Sequence, residues 1–234
     1  MITERQESIL ETIINEYIES ARPVSSQLIE KKYDFDVCPA TIRNEMQKLT
    51  ELGFLYQPHT SAGRIPTDKG YRFFVDNLLE KGISECEEIS KIEELLEKEK
   101  EKDDIIKFTS DLLRFLASTS SNLATAHLSG RDFFWKEGWE EILKEPEFEE
   151  KDFIVRFTGF LETFEKKIKS FHINSEVKVY IGKENPFAKD KSFSVISVKC
   201  HFPGEEGIVS LLGPTRMAYK KNISLINSIA KILE

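Results

Sequence analysis

Few of the residues that build most enzyme or secreted-protein sites are present in this chain. It holds three cysteines, Cys38, Cys86 and Cys200, an odd number set far apart. That spacing excludes a disulfide framework and fits a reducing cytoplasm. Four histidines, His59, His127, His172 and His201, lie singly, without metal-ligand spacing. No P-loop, Rossmann glycine run or G-x-S-x-G turn occurs. We therefore expect no enzymatic activity, no cofactor and no metal. No apolar run approaches the roughly 18 residues of a membrane span. The N-terminus, MITERQESIL, is charged and begins a helix, so it does not read as a secretory leader. Net positive charge is lacking too: 33 Lys+Arg against 41 Asp+Glu leave −8, which argues against a general nucleic-acid coat.

What is present is enough apolar residue, 40% of 234, for one large or two small cores. Charge is uneven: residues 1–80 carry net −4, residues 81–150 net −9 and residues 151–234 net +5. The first third looks too acidic for nucleic acid, yet within 39–73 Arg43, Lys48, Arg64, Lys69 and Arg72 outnumber Glu45, Glu51 and Asp68. The acids crowd the first helix, which can face away from a ligand. A locally basic edge on an acidic body suits a specific binder better than a non-specific one.

The most informative stretch is residues 38–70, CPATIRNEMQKLTELGFLYQPHTSAGRIPTDKG. Pro39 fits the first position of a helix, with Cys38 as N-cap. Ile42, Met46 and Leu49 form one apolar stripe, and Ala40, Arg43, Asn44, Gln47 and Glu51 lie opposite. Gly53 closes the helix. Residues 54–57 read as a strand, 58–63 as a turn-rich tip, and Arg64-Ile65-Pro66 as the return. Thr67 then caps another helix. Upstream, Thr3 and Gln6 make a capping box for a helix over 3–20. Arg22-Pro23 breaks it, and Ser25 or Ser26 caps a short second helix. The order helix, helix, turn, helix, hairpin is that of a winged helix-turn-helix. Alone, the helix from Pro39 reads more readily as an ordinary amphipathic surface helix; the hairpin directly after it shifts the balance to DNA.

These roles follow from side-chain chemistry. Arg43, Asn44 and Gln47 are expected at base edges, where Arg pairs with guanine and Asn or Gln with adenine. Ser25, Ser26, Thr41 and Lys48 are expected at phosphates, and His59, Thr60, Ser61 and Arg64 at the wing.

TERQESIL, EYIESARPVSSQLI, the run PATIRNEMQKLTELGFLYQPHTSAGRIPTDKGYRFFVD and, downstream, IGKENPF and GPTRMAYKKNISLI resemble the heat-inducible transcription repressor HrcA family. The resemblance covers residues 1–79 and about 177–234. It implies an N-terminal winged helix-turn-helix, a GAF-like domain with an inserted dimerisation domain, and repression of chaperone operons at an inverted repeat called CIRCE. It also implies help from the GroE chaperonin. Much more chain is expected between His127 and Asp132, so most of the inserted domain is missing.

The fold expected is α+β: a winged helix-turn-helix over 1–80, an acidic helical linker over 81–107 and a reduced GAF-like domain over 108–234. In that last part we expect helices at 104–119, 153–170 and 218–233, and strands at 122–128, 177–181, 193–202 and 207–212. Gly204 and Gly207 should bracket the last turn. Thr215 should cap the final helix and Arg216 make a salt bridge. Trp135 and Trp139 should pack between helix and sheet. The function expected is a cytoplasmic repressor bound as a homodimer to double-stranded DNA. Two rivals stand beside it. One is a small-ligand sensor with a pocket lined by Phe193, Ile196 and Arg216; the other is a scaffold using the acidic helix.

Overall fold

The structure is a computed structural model that describes residues 2–33, 38–82, 86, 89–102, 104–173 and 175–233. It divides into two units, Met1–Lys81 and Gly82–Glu234.

The first unit begins with α1 (Glu4–Ser20), capped by Thr3, whose hydroxyl accepts from the Gln6 amide while the Gln6 side chain accepts from the Thr3 amide. Ala21 ends it in the left-handed conformation. Helix α2 (Ser26–Lys32) is capped by Ser25, and α3 (Pro39–Glu51) starts with Pro39 in its first turn. Strands β1 (Leu55–Tyr56) and β2 (Ile65–Pro66) pair antiparallel, and α4 (Asp68–Glu80) follows its cap Thr67. Ile9, Ile13, Ile29, Ile42, Leu49, Leu55 and Val75 make the core, each at most 1% exposed. Burying such a side chain contributes about 1.5–3 kcal/mol.

The α3 C-terminus shows why Gly53 is where it is. Its φ is +78°, and the Phe54 and Gly53 amides donate to the Leu49 and Thr50 carbonyls. This two-bond closure needs a left-handed residue after the helix.

The second unit opens with α5 (Ile89–Lys102) and α6 (Ile105–Ser120). Strands β3 (Leu123–Leu128) and β4 (Phe133–Glu137) form a hairpin, followed by α7 (Trp139–Ile142), a 3-10 turn at Pro146–Glu149 and α8 (Lys151–Ile168). Then come β5 (Lys178–Ile181), β6 (Phe193–Phe202), β7 (Glu205–Pro214) and α9 (Tyr219–Ile232). The five strands form one antiparallel sheet in the order β4-β3-β7-β6-β5. Alternation along each strand gives the sheet two faces. Leu123, Phe193, Val195, Ile208 and Leu212 meet the α8 phenylalanines, Phe153, Phe157, Phe160 and Phe164. The opposite face meets α9 and α6; there Ser194 Oγ lies 2.8 Å from Tyr219 Oη.

Several details differ from expectation. The stretch set apart as an acidic linker is not separate: α5 packs on α6 and α9, with Ile92 fully buried, and the second unit starts at Gly82. Residues 83–85, 87–88 and 103 of that stretch lie outside the described residues. Gly207 is not a turn residue; it pairs with Cys200 inside β7, where a Cβ would meet the Phe202 ring at 2.8 Å. Thr215 does not cap α9. Its amide donates to the Ser192 carbonyl, and Ala218 holds the cap position. Of the two tryptophans expected between helix and sheet, Trp139, at the start of α7, packs against that core, and Trp135, on β4, is not part of it. Trp139 packs edge-on against Phe157, and Trp135 Nε1 donates to Glu137. The β3–β4 connection at residues 129–132 is a short turn tied down by Glu205, which accepts from the Gly130 amide and pairs with Arg131.

Candidate nucleic-acid interface

The polar face of α3 is bare. Arg43, Asn44, Gln47 and Lys48 are exposed, while Ile42, Met46 and Leu49 are buried beneath them. Glu45, on the same helix, is also buried. It accepts from Gln6 Nε2 at 2.7 Å and from Lys48 Nζ at 2.9 Å, and the Lys48 bond holds its carboxyl below the usual glutamate range. Lys48 is therefore partly committed to its own helix.

The wing is pinned to the start of α2. Val24 and Arg64 exchange both backbone hydrogen bonds, at 2.9 and 2.8 Å, so a third extended segment lies beside the hairpin. Gly63 makes the approach possible: a Cβ there would run into the Val24 carbonyl group. The tip is stapled from within, as Gln57 Nε2 donates to the Thr60 and Ala62 carbonyls. His59, Thr60 and Ser61 stand exposed on it.

These parts converge. A cleft of about 400 Å³ is lined by Ser25, Ser26, Arg43, Thr60, Ser61 and Arg64, among others. It joins the α2 N-terminus, α3 and the wing, and six of the eleven residues expected at DNA border it. Asn44, Gln47 and Lys48 continue outward along α3, and Thr41 lies in its first turn beside Cys38, Sγ to Oγ1 3.3 Å. That contact with Thr41 lowers the exposed Cys38 thiol, whereas burial pushes Cys200 up to about 12. His59 stands apart at the tip.

Charge is scarcer than the sequence implied. Of the five basic residues in 39–73, Lys48 pairs with Glu45 and Arg72 with Asp76. Lys69 caps the α3 C-terminus through the Leu52 carbonyl and lies 4.4 Å over the Phe54 ring. Arg64 donates to Thr50 and Gln47. Among the described residues Arg43 alone of the five makes no ion pair or hydrogen bond. Sequence reasoning missed Val24, Gln57 and Glu51. Glu51 accepts from Gln47 at i, i+4, a spacing that could have been read; nothing local marks the other two.

In the second unit, the positions named for a small-molecule pocket are occupied. Phe193 stacks on Phe160, with centroids 4.9 Å apart, and Ile196 is fully buried. Arg216, 7% exposed, bonds Glu145 and Glu147. Among the described residues, no group of three His, Cys, Asp or Glu could hold a metal, and no helix is long and apolar enough to cross a membrane.

A bare polar helix, a pinned wing and a cleft between them define a winged-helix DNA-binding protein. Residues 1–78 match the family described as winged helix-turn-helix transcription repressor, HrcA DNA-binding, and residues 69–223 match the HrcA protein C terminal domain. The chain belongs to the HrcA family of transcription repressors. Similar relatives are the heat-inducible transcription repressors HrcA of Natranaerobius thermophilus and Thermodesulfovibrio yellowstonii. The first is 28% identical, spanning 98% of this chain and 95% of the relative; the second is 29% identical, spanning 100% and 97%. That of Carboxydothermus hydrogenoformans is 50% identical over 123 residues, 53% of this chain and 34% of its own. The alignment with the Natranaerobius protein runs to 326 positions against 234 residues here, so a long block of that relative has no counterpart. A crystal structure of a hypothetical protein shares the fold, with TM-score 0.72, 22% identity, and 99% and 96% of the two chains covered.

Proposed function

We propose that this repressor binds an inverted-repeat operator, of the CIRCE type that the family resemblance implies, as a homodimer, and blocks transcription sterically. The observation that carries the reading is the exposed α3 edge beside the cleft. Arg43 and Asn44 have no partner within the described residues and are free to meet base edges. Gln47 lies one turn further along. Ser25, Ser26, Thr41 and Lys48 supply hydroxyls and a cation suited to phosphates, and His59, Thr60 and Ser61 are exposed on the wing. One 13-residue helix reads only a few base pairs, so twofold symmetry is needed to reach an operator affinity. The relatives are named heat-inducible, and we extend that response to this chain.

Titration of the full chain onto a duplex carrying the inverted repeat, a half-repeat and a scrambled duplex tests this. Two chains per full repeat, with the other duplexes much weaker, is the expected result. Equal and steeply salt-dependent binding to all three would defeat the reading. Adding GroE chaperonin to the same titration tests whether it raises the active fraction, and warming tests release.

A further inference from the structure

We propose that Arg64 is a positioning residue: it fixes the polarity of the Gln47 side-chain amide and thereby decides which way round an A·T pair is read. The inference rests on the reading that α3 enters the major groove.

Arg64 sits at the wing root, not at the tip. Its backbone is held on both sides by Val24. Its Nε donates to Thr50 Oγ1 at 3.0 Å, and the Thr50 proton is already given to the Met46 carbonyl, so that oxygen is left as an acceptor. Its Nη2 donates to Gln47 Oε1 at 3.1 Å. At the other end of the same amide, Gln47 Nε2 donates to Glu51 Oε1 at 3.0 Å.

An amide offers two lone pairs and two N–H groups. Arg64 takes one lone pair and Glu51 takes one N–H. One of each remains, which is the complement that bidentate pairing with adenine N6 and N7 requires. The two partners also forbid the flipped amide. Rotation by half a turn would set the NH2 group against the guanidinium and the carbonyl oxygen against the carboxylate. Two hydrogen bonds would become two repulsions, and Arg64 cannot relieve this by losing its proton. Seen along the groove, the adenine N7–N6 edge runs in opposite directions in A·T and T·A, and the thymine methyl takes the place that N7 holds in the other orientation. An amide of fixed polarity therefore distinguishes them, and a freely flipping one does not. Arg64 thus acts on sequence through Gln47, whereas a phosphate contact would act on every sequence alike.

The test uses the full chain and duplexes enriched from a randomised pool by the wild-type protein. Dissociation constants are measured for all four base pairs at each position of one half-site, over a salt series. Wild type is compared with Gln47→Ala, Arg64→Met, Arg64→Lys and the double variant. Gln47→Ala should flatten the preference at one position. Arg64→Met should collapse the A·T over T·A preference there by roughly tenfold or more, with the slope of log K against log salt unchanged. In the Gln47→Ala background it should add nothing at that position. Arg64→Lys, which keeps a cationic donor, should restore part of the preference. A uniform loss with the salt slope falling by about one makes Arg64 a phosphate contact and overturns the proposal. So does an Arg64→Met effect that persists without Gln47, or a Gln47→Ala protein with an unaltered preference at every position. A wild-type chain that enriches no sequence defeats the reading of α3 itself, an outcome distinct from the others.

Discussion

Among the described residues, Arg43 is the one basic residue of 39–73 whose side chain has no partner, so its removal should be felt at a defined place. Arg43→Ala is expected to lose about 1–3 kcal/mol of discrimination at one base pair, read from binding to single-pair operator variants. Cys38 offers a chemical probe of the same surface. Its thiol is exposed at the head of α3 and lowered by Thr41, while Cys200 is buried with a thiol near 12. A maleimide should label Cys38 far faster than Cys200 in the native chain, and operator DNA should slow the labelling of Cys38. Equal rates with and without DNA would place the α3 N-terminus away from the duplex. Glu16 tests the unit's acid response. Its carboxyl, 3% exposed, accepts from Lys32 Nζ and Tyr33 Oη, both at 2.7 Å, and the Lys32 bond lowers its pKa. A carboxyl lowered by folding contributes in full above the ordinary glutamate range and loses that contribution as pH falls through its folded value. Glu16→Gln should therefore cost about 1.5–3 kcal/mol near neutrality, and its melting temperature should converge with wild type on acidification.

At the scale of elements, helices were the legible part. The stripes Ile42, Met46 and Leu49 and Phe157, Phe160, Phe164 and Ile168 are buried where a period of 3.6 places them. Caps were legible where a hydroxyl did the capping, at Thr3, Ser25 and Thr67. Less legible was what depends on distant partners. Nothing near Val24 announces its bridge to Arg64, forty residues on, and Glu45 reads as part of a solvated edge until Gln6 is seen beside it. Basic residues were misjudged as a group for the same reason, because counting charges ignores the carboxylates and carbonyls that occupy them. The Val24 bridge gives the prediction for this scale. Gly63→Ala forces a methyl group into the Val24 backbone and should cost about 1–3 kcal/mol. It should also weaken operator binding more than Ala substitution at exposed His59 does. Thermal denaturation and titration of both variants check this.

For the whole molecule, the prediction is one of mass. The full chain on an inverted repeat should sediment as two copies per duplex, and a half-repeat should be bound at least tenfold more weakly. A single copy with equal affinity for both would make the chain a monomeric binder. The sequence leads us to expect the missing block between His127 and Asp132, and the structure joins β3 and β4 there by four residues held to Glu205. The pinned wing has a further consequence, for how such a protein responds to warming. Its tip is held by Gln57 and its root by Val24, so little conformational entropy is left to surrender when DNA arrives. Affinity should then vary gently with temperature until the reading unit melts or its copies separate. Release on heating would be a threshold, set by a cooperative transition, and not a gradual loosening of the wing.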